Sequence, residues 1–202
     1  MISQQLNDQI TRIGANDGAG MVLRQYWQPA ALCDDILFGL PLAVNLLGER
    51  LALVEHLDGY KLVTRIATGD PTPTSIPRAD DIKIDADGPS YPAVIMKGVA
   101  FAYLGEGEPP EFPSFDCFRA PDTHVFAFKG LWRCNWLQAL EVGIDPAHAS
   151  FLHRFLEDED PKKGYGKQFR DTAANTDIPM TKILRDYPRP EILVDETNYG
   201  LK

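Results

Sequence analysis

The stretch that decides how this chain is interpreted is residues 134–153, which read CNWLQALEVGIDPAHASFLH. It holds two of the four histidines, His148 and His153, with Glu141 and Asp145 a few residues before them. Two neutral imidazoles and a carboxylate are the ligands of the mononuclear Fe(II) sites that activate O2, in which one face of the metal stays open. The pattern therefore makes His148 and His153 candidate metal ligands. It also makes Glu141 and Asp145 candidate catalytic residues.

The spacing of these residues fits a metal site only in part. Asp145 and His148 are three residues apart and would share a face of a helix. His148 and His153 are five apart, about 140° around an ideal helix, so they converge on one ion only if the helix is distorted, for example by a π-bulge. Asp145-Pro146 also has the composition of an N-cap followed by proline at the first helical position. The spacing alone therefore favours ordinary helix histidines over a metal site.

Composition limits the classes of function. The chain has 202 residues, a formal net charge of -9 and a pI near 4.9, which argues against nucleic acid or an anionic membrane surface as partner. No apolar run reaches the length of a membrane span, and the N-terminal residues MISQQLNDQI have no signal-peptide pattern, so we expect a cytoplasmic protein. Cys33, Cys117 and Cys134 are far apart, which predicts free thiols without a metal-binding pair.

The first half of the chain has the pattern of an antiparallel sheet. Short apolar or alternating runs are separated by turn residues, with Asp58-Gly59 and Lys97-Gly98 as hairpin turns. Most of residues 67–92, rich in Pro, Asp and Thr, is predicted to be loop. The predicted strands cover 41–45, 50–56, 60–65, 82–84 and two runs within 93–104, and a short helical turn is predicted at 21–26.

The second half of the chain begins after an acidic, proline-rich linker at 106–113. We therefore predict two domains, residues 1–112 and residues 113–202. The predicted elements of the second domain are a strand at 124–133, helices at 135–141 and 147–155 with an interruption at 143–146, a short helix at 179–184 and a strand at 192–199.

The segment NWLQALEVGIDPAHASFLH resembles the mononuclear-iron motif of Rieske-type aromatic ring-hydroxylating oxygenases, in particular the α subunits grouped with phthalate 4,5-dioxygenase. Further similar segments are LRQYWQP at 23–29, LLGE at 46–49, AFAYLG at 100–105 and EDEDP at 157–161. The resemblance thus covers most of the chain apart from about 66–90. It implies an α+β fold, a remnant of a β-rich Rieske-like domain followed by the N-terminal part of a helix-grip catalytic domain.

The resemblance also implies roles for the candidate residues. His148 and His153 match the two iron-ligating histidines, and Asp145 matches the carboxylate that connects the iron to the Rieske cluster of a neighbouring subunit. Glu141 aligns with a polar position beside the iron. The family uses electrons from NAD(P)H, delivered by a reductase, to activate O2 and to hydroxylate, dihydroxylate or O-demethylate small aromatic substrates. Its members are commonly trimers, so a homo-oligomer or a mixed oligomer is expected.

Two departures from the family pattern are visible in the sequence. A Rieske [2Fe–2S] cluster needs two Cys and two His, yet neither residue occurs between Tyr60 and Pro92, where the ligands should lie. Family chains are roughly twice as long, well beyond a single domain, and the third iron ligand, an aspartate, lies in the part that is absent here. We therefore expect an internally deleted, C-terminally truncated chain that is inactive alone.

Two other functions stay open at this point. The chain could be a non-catalytic or regulatory module that assembles with full-length oxygenase subunits. It could also be a metal-dependent hydrolase that uses His148, His153 and Glu141, although nothing outside residues 134–153 supports that function.

Overall fold

The computed structural model of the chain describes residues 2–57, 59–66, 82–152, 180–197 and 200–201. The chain divides into two compact units, Met1–Arg133 and Cys134–Lys202. The first unit is built on an antiparallel sheet, and helices occur in both units, which confirms the predicted α+β class. The predicted domain boundary after residue 112 stays a prediction.

The sheet of the first unit has seven strands within the described residues, in the order β1-β7-β6-β4-β3-β2, with β5 paired to β4. The strands are β1 Gln28–Leu32, β2 Leu42–Leu46, β3 Glu49–His56, β4 Gly59–Ile66, β5 Lys83–Ile84, β6 Ser90–Met96 and β7 Val99–Ala102. The predicted meander of β2, β3 and β4 is confirmed, as are the short β5 and the β6–β7 hairpin. Strand β1 was not predicted, because QPAAL is short and forms a strand only by pairing with the distant β7.

Tight turns fix the register of the hairpins. Leu47 and Gly48 connect β2 to β3 with φ values of 46° and 80°, and Lys97 and Gly98 connect β6 to β7 with φ values of 49° and 82°. Two consecutive positive φ values are those of a type I′ turn, whose twist matches that of the paired strands. The predicted β3–β4 hairpin is present, but His56 pairs with Gly59, so Gly59 belongs to β4 and not to the turn as predicted, while Asp58 lies outside the described residues.

Alternating leucines of β3 and β4 form the centre of the core. Leu51 and Leu62 are fully buried and Leu53 is 2% exposed. Burial of each such side chain stabilises the fold by roughly 1.5–3 kcal/mol relative to exposure.

Ile13 and Leu23, from the N-terminal helical region, pack against this cluster. The helices there are α1 Gln4–Thr11 and α2 Gly18–Leu23, so the helical turn predicted at 21–26 begins three residues earlier and ends sooner.

The segment that follows β7 packs on the sheet through aromatic side chains. Phe112 and Phe118 contact Phe101 with ring centroids 5.0 and 5.7 Å apart, and Nε1 of Trp27 donates to the Pro110 carbonyl at 2.9 Å. The segment contains helix α3, Asp116–Arg119, and a 3-10 turn, Asp122–His124.

The prediction of a strand at residues 124–133 is wrong. His124 ends the 3-10 turn and residues 125–133 are irregular. Ion pairs of Lys97 with Asp122 and of Lys129 with Asp35 hold this stretch instead. Apolar, β-branched composition predicts a strand only where a neighbouring strand completes the hydrogen bonding.

The second unit contains helices α4 Trp136–Ile144, α5 Pro146–Leu152 and α6 Met180–Asp186, with α5 packed against α6. Helix α6 confirms the predicted short helix. The prediction of a strand at 192–199 is wrong over 192–195, which is irregular, whereas β8 Glu196–Thr197 pairs with β9 Gly200–Leu201. Residues 198–199 lie outside the described residues. The acidic run at 157–160 lies outside the described residues. Among the described helices, none is both long and apolar enough to cross a bilayer.

Candidate metal centre

Helix α4 begins with a capping box and extends further than the sequence predicted. The Asn135 side chain accepts from the Gln138 backbone N–H at 2.9 Å, and the Gln138 side chain accepts from the Asn135 N–H at 3.4 Å. The interruption predicted at 143–146 is present but narrower than predicted, since α4 continues through Gly143 and Ile144. A single internal glycine costs a helix only about 1 kcal/mol. Proline restricts the residue before it, so the break falls on Asp145 alone.

Asp145 both ends α4 and begins α5. Its backbone is extended, with φ -81° and ψ 103°, and its N–H donates to the Glu141 carbonyl at 3.0 Å. Its Oδ1 accepts from the Ala147 N–H at 2.8 Å, which is the N-cap interaction that the sequence pattern predicted. The predicted common helical face of Asp145 and His148 is therefore wrong, because Asp145 is not helical.

The ring of His148 is held by the backbone of Asp145. Nδ1 of His148 lies 2.6 Å from the Asp145 carbonyl oxygen. A carbonyl can only accept, so Nδ1 carries the hydrogen and the neutral ring has its lone pair on Nε2. Metal-binding histidines commonly donate their other ring N–H to a backbone carbonyl in this way, which fixes the tautomer and orientation of the ring. His148 therefore fits the role of an iron ligand through Nε2.

The other two candidate residues, His153 and Glu141, are less defined. His153 lies outside the described residues. Glu141 is exposed on α4 and is joined to Asp145 through its backbone carbonyl rather than its carboxylate. The described part of the chain has no group of three His, Cys, Asp or Glu side chains that could hold a metal. The predicted site stays a prediction, and the geometry of His148 is what supports it.

The residues present do not fit a Rieske [2Fe–2S] cluster, which requires two cysteines on one iron and two histidines on the other. Cys33 follows β1 and is half-buried; burial, and then the charge of Asp34, raises the pKa of its thiol and disfavours the thiolate that binds metals. Cys117 and Cys134 are exposed on other segments. The segment from Tyr60 to Pro92 has no cysteine or histidine. The cluster is therefore not assigned to this chain.

A buried polar network in the first unit was not predicted from the sequence. Arg24, which is 6% exposed, donates through Nη2 to Glu49 Oε1 at 2.6 Å and to the Leu47 carbonyl at 3.2 Å. The Tyr91 hydroxyl donates to Glu49 Oε2 at 2.9 Å. Burial, followed by the hydrogen bond to Glu49, raises the pKa of Tyr91 to about 12. The network joins residues 23–29 to residues 46–49, two of the segments that carry the family resemblance.

Comparison with curated proteins identifies relatives of the chain, whereas no protein-family model matches it. The tert-butanol monooxygenase / tert-amyl alcohol desaturase oxygenase subunit of Aquincola tertiaricarbonis is 30% identical over 179 residues, covering 73% of this chain and 38% of that protein. The 5,5'-dehydrodivanillate O-demethylase oxygenase subunit of a Sphingobium species is 26% identical over 190 residues, covering 76% of this chain and 44% of that protein.

The phthalate 4,5-dioxygenase oxygenase subunit of Pseudomonas putida is 26% identical over 239 positions, covering all of this chain and 52% of that protein. The chain therefore spans between 38% and 52% of the length of these three relatives. The alignment has 239 positions, whereas this chain has 202 residues. At least 37 positions of the relative are therefore aligned with gaps in this chain. Such gaps agree with the internal deletion predicted from the sequence.

Two solved structures are similar to part of the chain. The terminal oxygenase of carbazole 1,9a-dioxygenase from Nocardioides aromaticivorans has a TM-score of 0.43 and 19% identity, and the match covers 63% of this chain and 44% of that chain. The reduced complex between oxygenase and ferredoxin in carbazole 1,9a-dioxygenase has a TM-score of 0.39 and 20% identity, and the match covers 63% of this chain and 41% of that chain.

The curated relatives are all oxygenase subunits, and they confirm the resemblance that residues 134–153 and the other matching segments predicted. This chain is therefore related to the oxygenase subunits of Rieske-type non-haem iron oxygenases.

Proposed function

We propose that the chain is part of an oxygenase subunit that uses O2 to hydroxylate, dioxygenate or O-demethylate a small aromatic substrate at a mononuclear Fe(II). The relatives support oxygen chemistry of this kind, since they are subunits of a monooxygenase, an O-demethylase and a dioxygenase. Phthalate and dehydrodivanillate are aromatic, whereas tert-butanol is not, so the aromatic substrate class follows two of these three relatives. The single observation that carries the iron site is the His148 ring oriented by the Asp145 carbonyl.

His148 and His153 are the residues that would hold the iron. Bound Fe(II) would supply the activation of O2, which protein side chains cannot perform themselves. The chain's own contribution is positioning. The Asp145 carbonyl fixes the His148 ring with Nδ1 protonated, and the Asp145 carboxylate holds the first turn of α5 through Ala147. The orientation of His148 is thus set by the same residue that separates the two helices. Glu141 is proposed as a polar group beside the metal.

Electron supply is proposed to require other chains. The residues present do not fit a [2Fe–2S] cluster, so this chain offers no cluster of its own to receive electrons from an NAD(P)H-dependent reductase. We therefore propose that it works only in an oligomer with a complete oxygenase subunit. An alternative role as a non-catalytic module is not favoured by the relatives, which are oxygenase subunits.

Anaerobic titration of Fe(II), followed by calorimetry, tests the metal site. The wild type should bind about one equivalent. His148→Ala and His153→Ala should each weaken binding, and the double variant should abolish it. His124→Ala is the matched control, since it changes an exposed histidine in the first unit. Asp145→Asn should keep binding, because asparagine retains both the capping oxygen and the backbone carbonyl.

Either of two results would contradict the proposed site. One is an absence of Fe(II) binding in a wild-type chain whose far-UV circular dichroism shows it to be folded. The other is an equal loss of binding in His124→Ala. Substrate oxidation by the chain alone, with only reductase and NADH added, would contradict the proposed need for a complete subunit while leaving the iron site in place.

A further inference from the structure

Three polar residues lie in one row across the sheet of the first unit. Asn45 of β2 is directly opposite Arg50 of β3. The β3–β4 register pairs Leu51 with Thr64, so the next position along places Arg50 opposite Arg65. Directly opposite residues of neighbouring antiparallel strands have side chains on the same face. The row therefore puts two guanidinium groups and one amide side by side.

Arg65 is the buried member of this row. It is only 8% exposed, and its Nη2 donates to the neutral Asn45 Oδ1 at 2.9 Å. Its Nε is shielded from solvent and has no hydrogen-bond partner, and no carboxylate of the described residues forms an ion pair with it. Burial, and then the charge of Arg50, lowers the pKa of Arg65. A buried charge without a counter-ion is unfavourable, so an anion that reached Arg65 would be stabilised.

The row lines a small open pocket. Asn45, Gly48, Glu49, Arg50 and Arg65 surround a volume of about 200 Å³. Glu49 is the acidic member of this lining, and its two oxygens accept from Arg24 and Tyr91. Because Arg24 balances the charge of Glu49, the buried charge of Arg65 favours an anion in the pocket. The volume is below that of ordinary drug-sized ligand sites, so it suits a small anion.

We propose that this pocket binds a small oxyanion, a carboxylate or a phosphate, with Arg65 as the main donor. A guanidinium presents its N–H groups as a planar fork that matches a pair of carboxylate or phosphate oxygens. Asn45 orients that fork through Oδ1, and its amide nitrogen is a further donor at the pocket. Arg50 also lines the pocket, and it has an interaction of its own. The site is built wholly from the first unit and does not depend on iron.

Isothermal titration of sodium phosphate and of sodium benzoate, each compared with sodium chloride at equal ionic strength, tests the proposal. Saturable binding of phosphate or benzoate, with none for chloride, is expected; which oxyanion binds tells the two sources apart. Arg50→Gln should weaken binding about tenfold, as expected for loss of one charge-assisted interaction. Arg65→Met should abolish binding. The matched control is Arg12→Gln, which changes an exposed arginine directly after α1 and should have no effect.

Arg65→Met removes a buried group. If this variant does not fold, Arg50→Gln and Asn45→Ala, which change exposed residues, decide the question. The proposal is overturned if neither oxyanion binds to the wild type. It is also overturned if chloride has the same effect, because that would be general screening of charge. Unchanged affinity in both Arg50→Gln and Asn45→Ala would likewise place the anion elsewhere.

Discussion

Replacement of Glu49 by alanine tests whether a buried ion pair ties the N-terminal helices to the sheet. Arg24 follows α2 and Glu49 begins β3, and their side chains meet at 2.6 Å. Tyr91 of β6 donates to the other oxygen of Glu49 at 2.9 Å. Without the carboxylate, the Arg24 side chain would keep the Leu47 carbonyl at 3.2 Å as its remaining acceptor among the described residues, and the Tyr91 hydroxyl would lose its acceptor.

The expected effect of Glu49→Ala is large. Removal of one partner from a buried ion pair destabilises a protein by about 3–5 kcal/mol. The Glu49 side chain is 25% exposed, so water can enter the vacated space, and we expect a loss at the low end, about 3 kcal/mol. Glu49→Gln loses the charge and one of the two acceptor oxygens but keeps the other, so we expect a smaller loss of about 1–2 kcal/mol.

Urea unfolding followed by far-UV circular dichroism measures these free energies by linear extrapolation. Glu55→Ala is the matched control, because Glu55 is an exposed glutamate near the other end of β3, and its replacement should change stability by less than about 0.5 kcal/mol. A loss of under about 1 kcal/mol for Glu49→Ala, or one no larger than for Glu55→Ala, would refute a stabilising role for the pair.

Three further predictions concern the core, the helix junction and pH. Leu51→Ala removes a fully buried side chain and should destabilise the first unit by about 3 kcal/mol in the same urea assay, whereas the exposed Leu57→Ala should have little effect. Asp145→Ala loses the cap of α5 and should reduce helix content and stability by about 1 kcal/mol, with Asp145→Asn restoring both. Tyr91 has a higher pKa in the folded protein, about 12, than its ordinary 10.0, so its stabilising contribution is complete below pH 10 and is lost as the pH rises through about 12. The urea midpoint should therefore fall over that range in the wild type and less in Tyr91→Phe.

Most strands of the sheet were predictable because each pairs with a strand that is its neighbour in the sequence. Alternation in β3 and β4 and the turn residues at Lys97-Gly98 specify strands that pair with their sequence neighbours. Strand β1 was not predicted because its partner, β7, lies about 70 residues away in the sequence. The residues of β1 themselves show no pattern that indicates this pairing. The prediction of a strand at 124–133 failed for the opposite reason. The local apolar composition favours a strand, but no strand of the described residues pairs with this segment.

The candidate site was predictable in its residue types but not in its geometry. The His148 motif was identified from the sequence, yet spacing on an ideal helix placed Asp145 on the same helical face. The actual contact uses the Asp145 carbonyl, which becomes accessible only because that residue is extended between α4 and α5. Hydrogen bonds to the backbone depend on local conformation, and one-residue breaks in a helix are hard to read from sequence.

The first unit shows how a family scaffold can persist without its redox centre. The core leucines of its sheet pack against side chains of the N-terminal segment. Arg24 of that segment forms an ion pair with Glu49 of the sheet. Among the described residues, the members of these contacts that come from the interval between Tyr60 and Pro92 lie on β4 and β6. The contacts that stabilise the sheet therefore do not depend on cluster ligands. In the proposed function the iron ligands and the electron supply are separable, and we propose that the electrons come from another subunit.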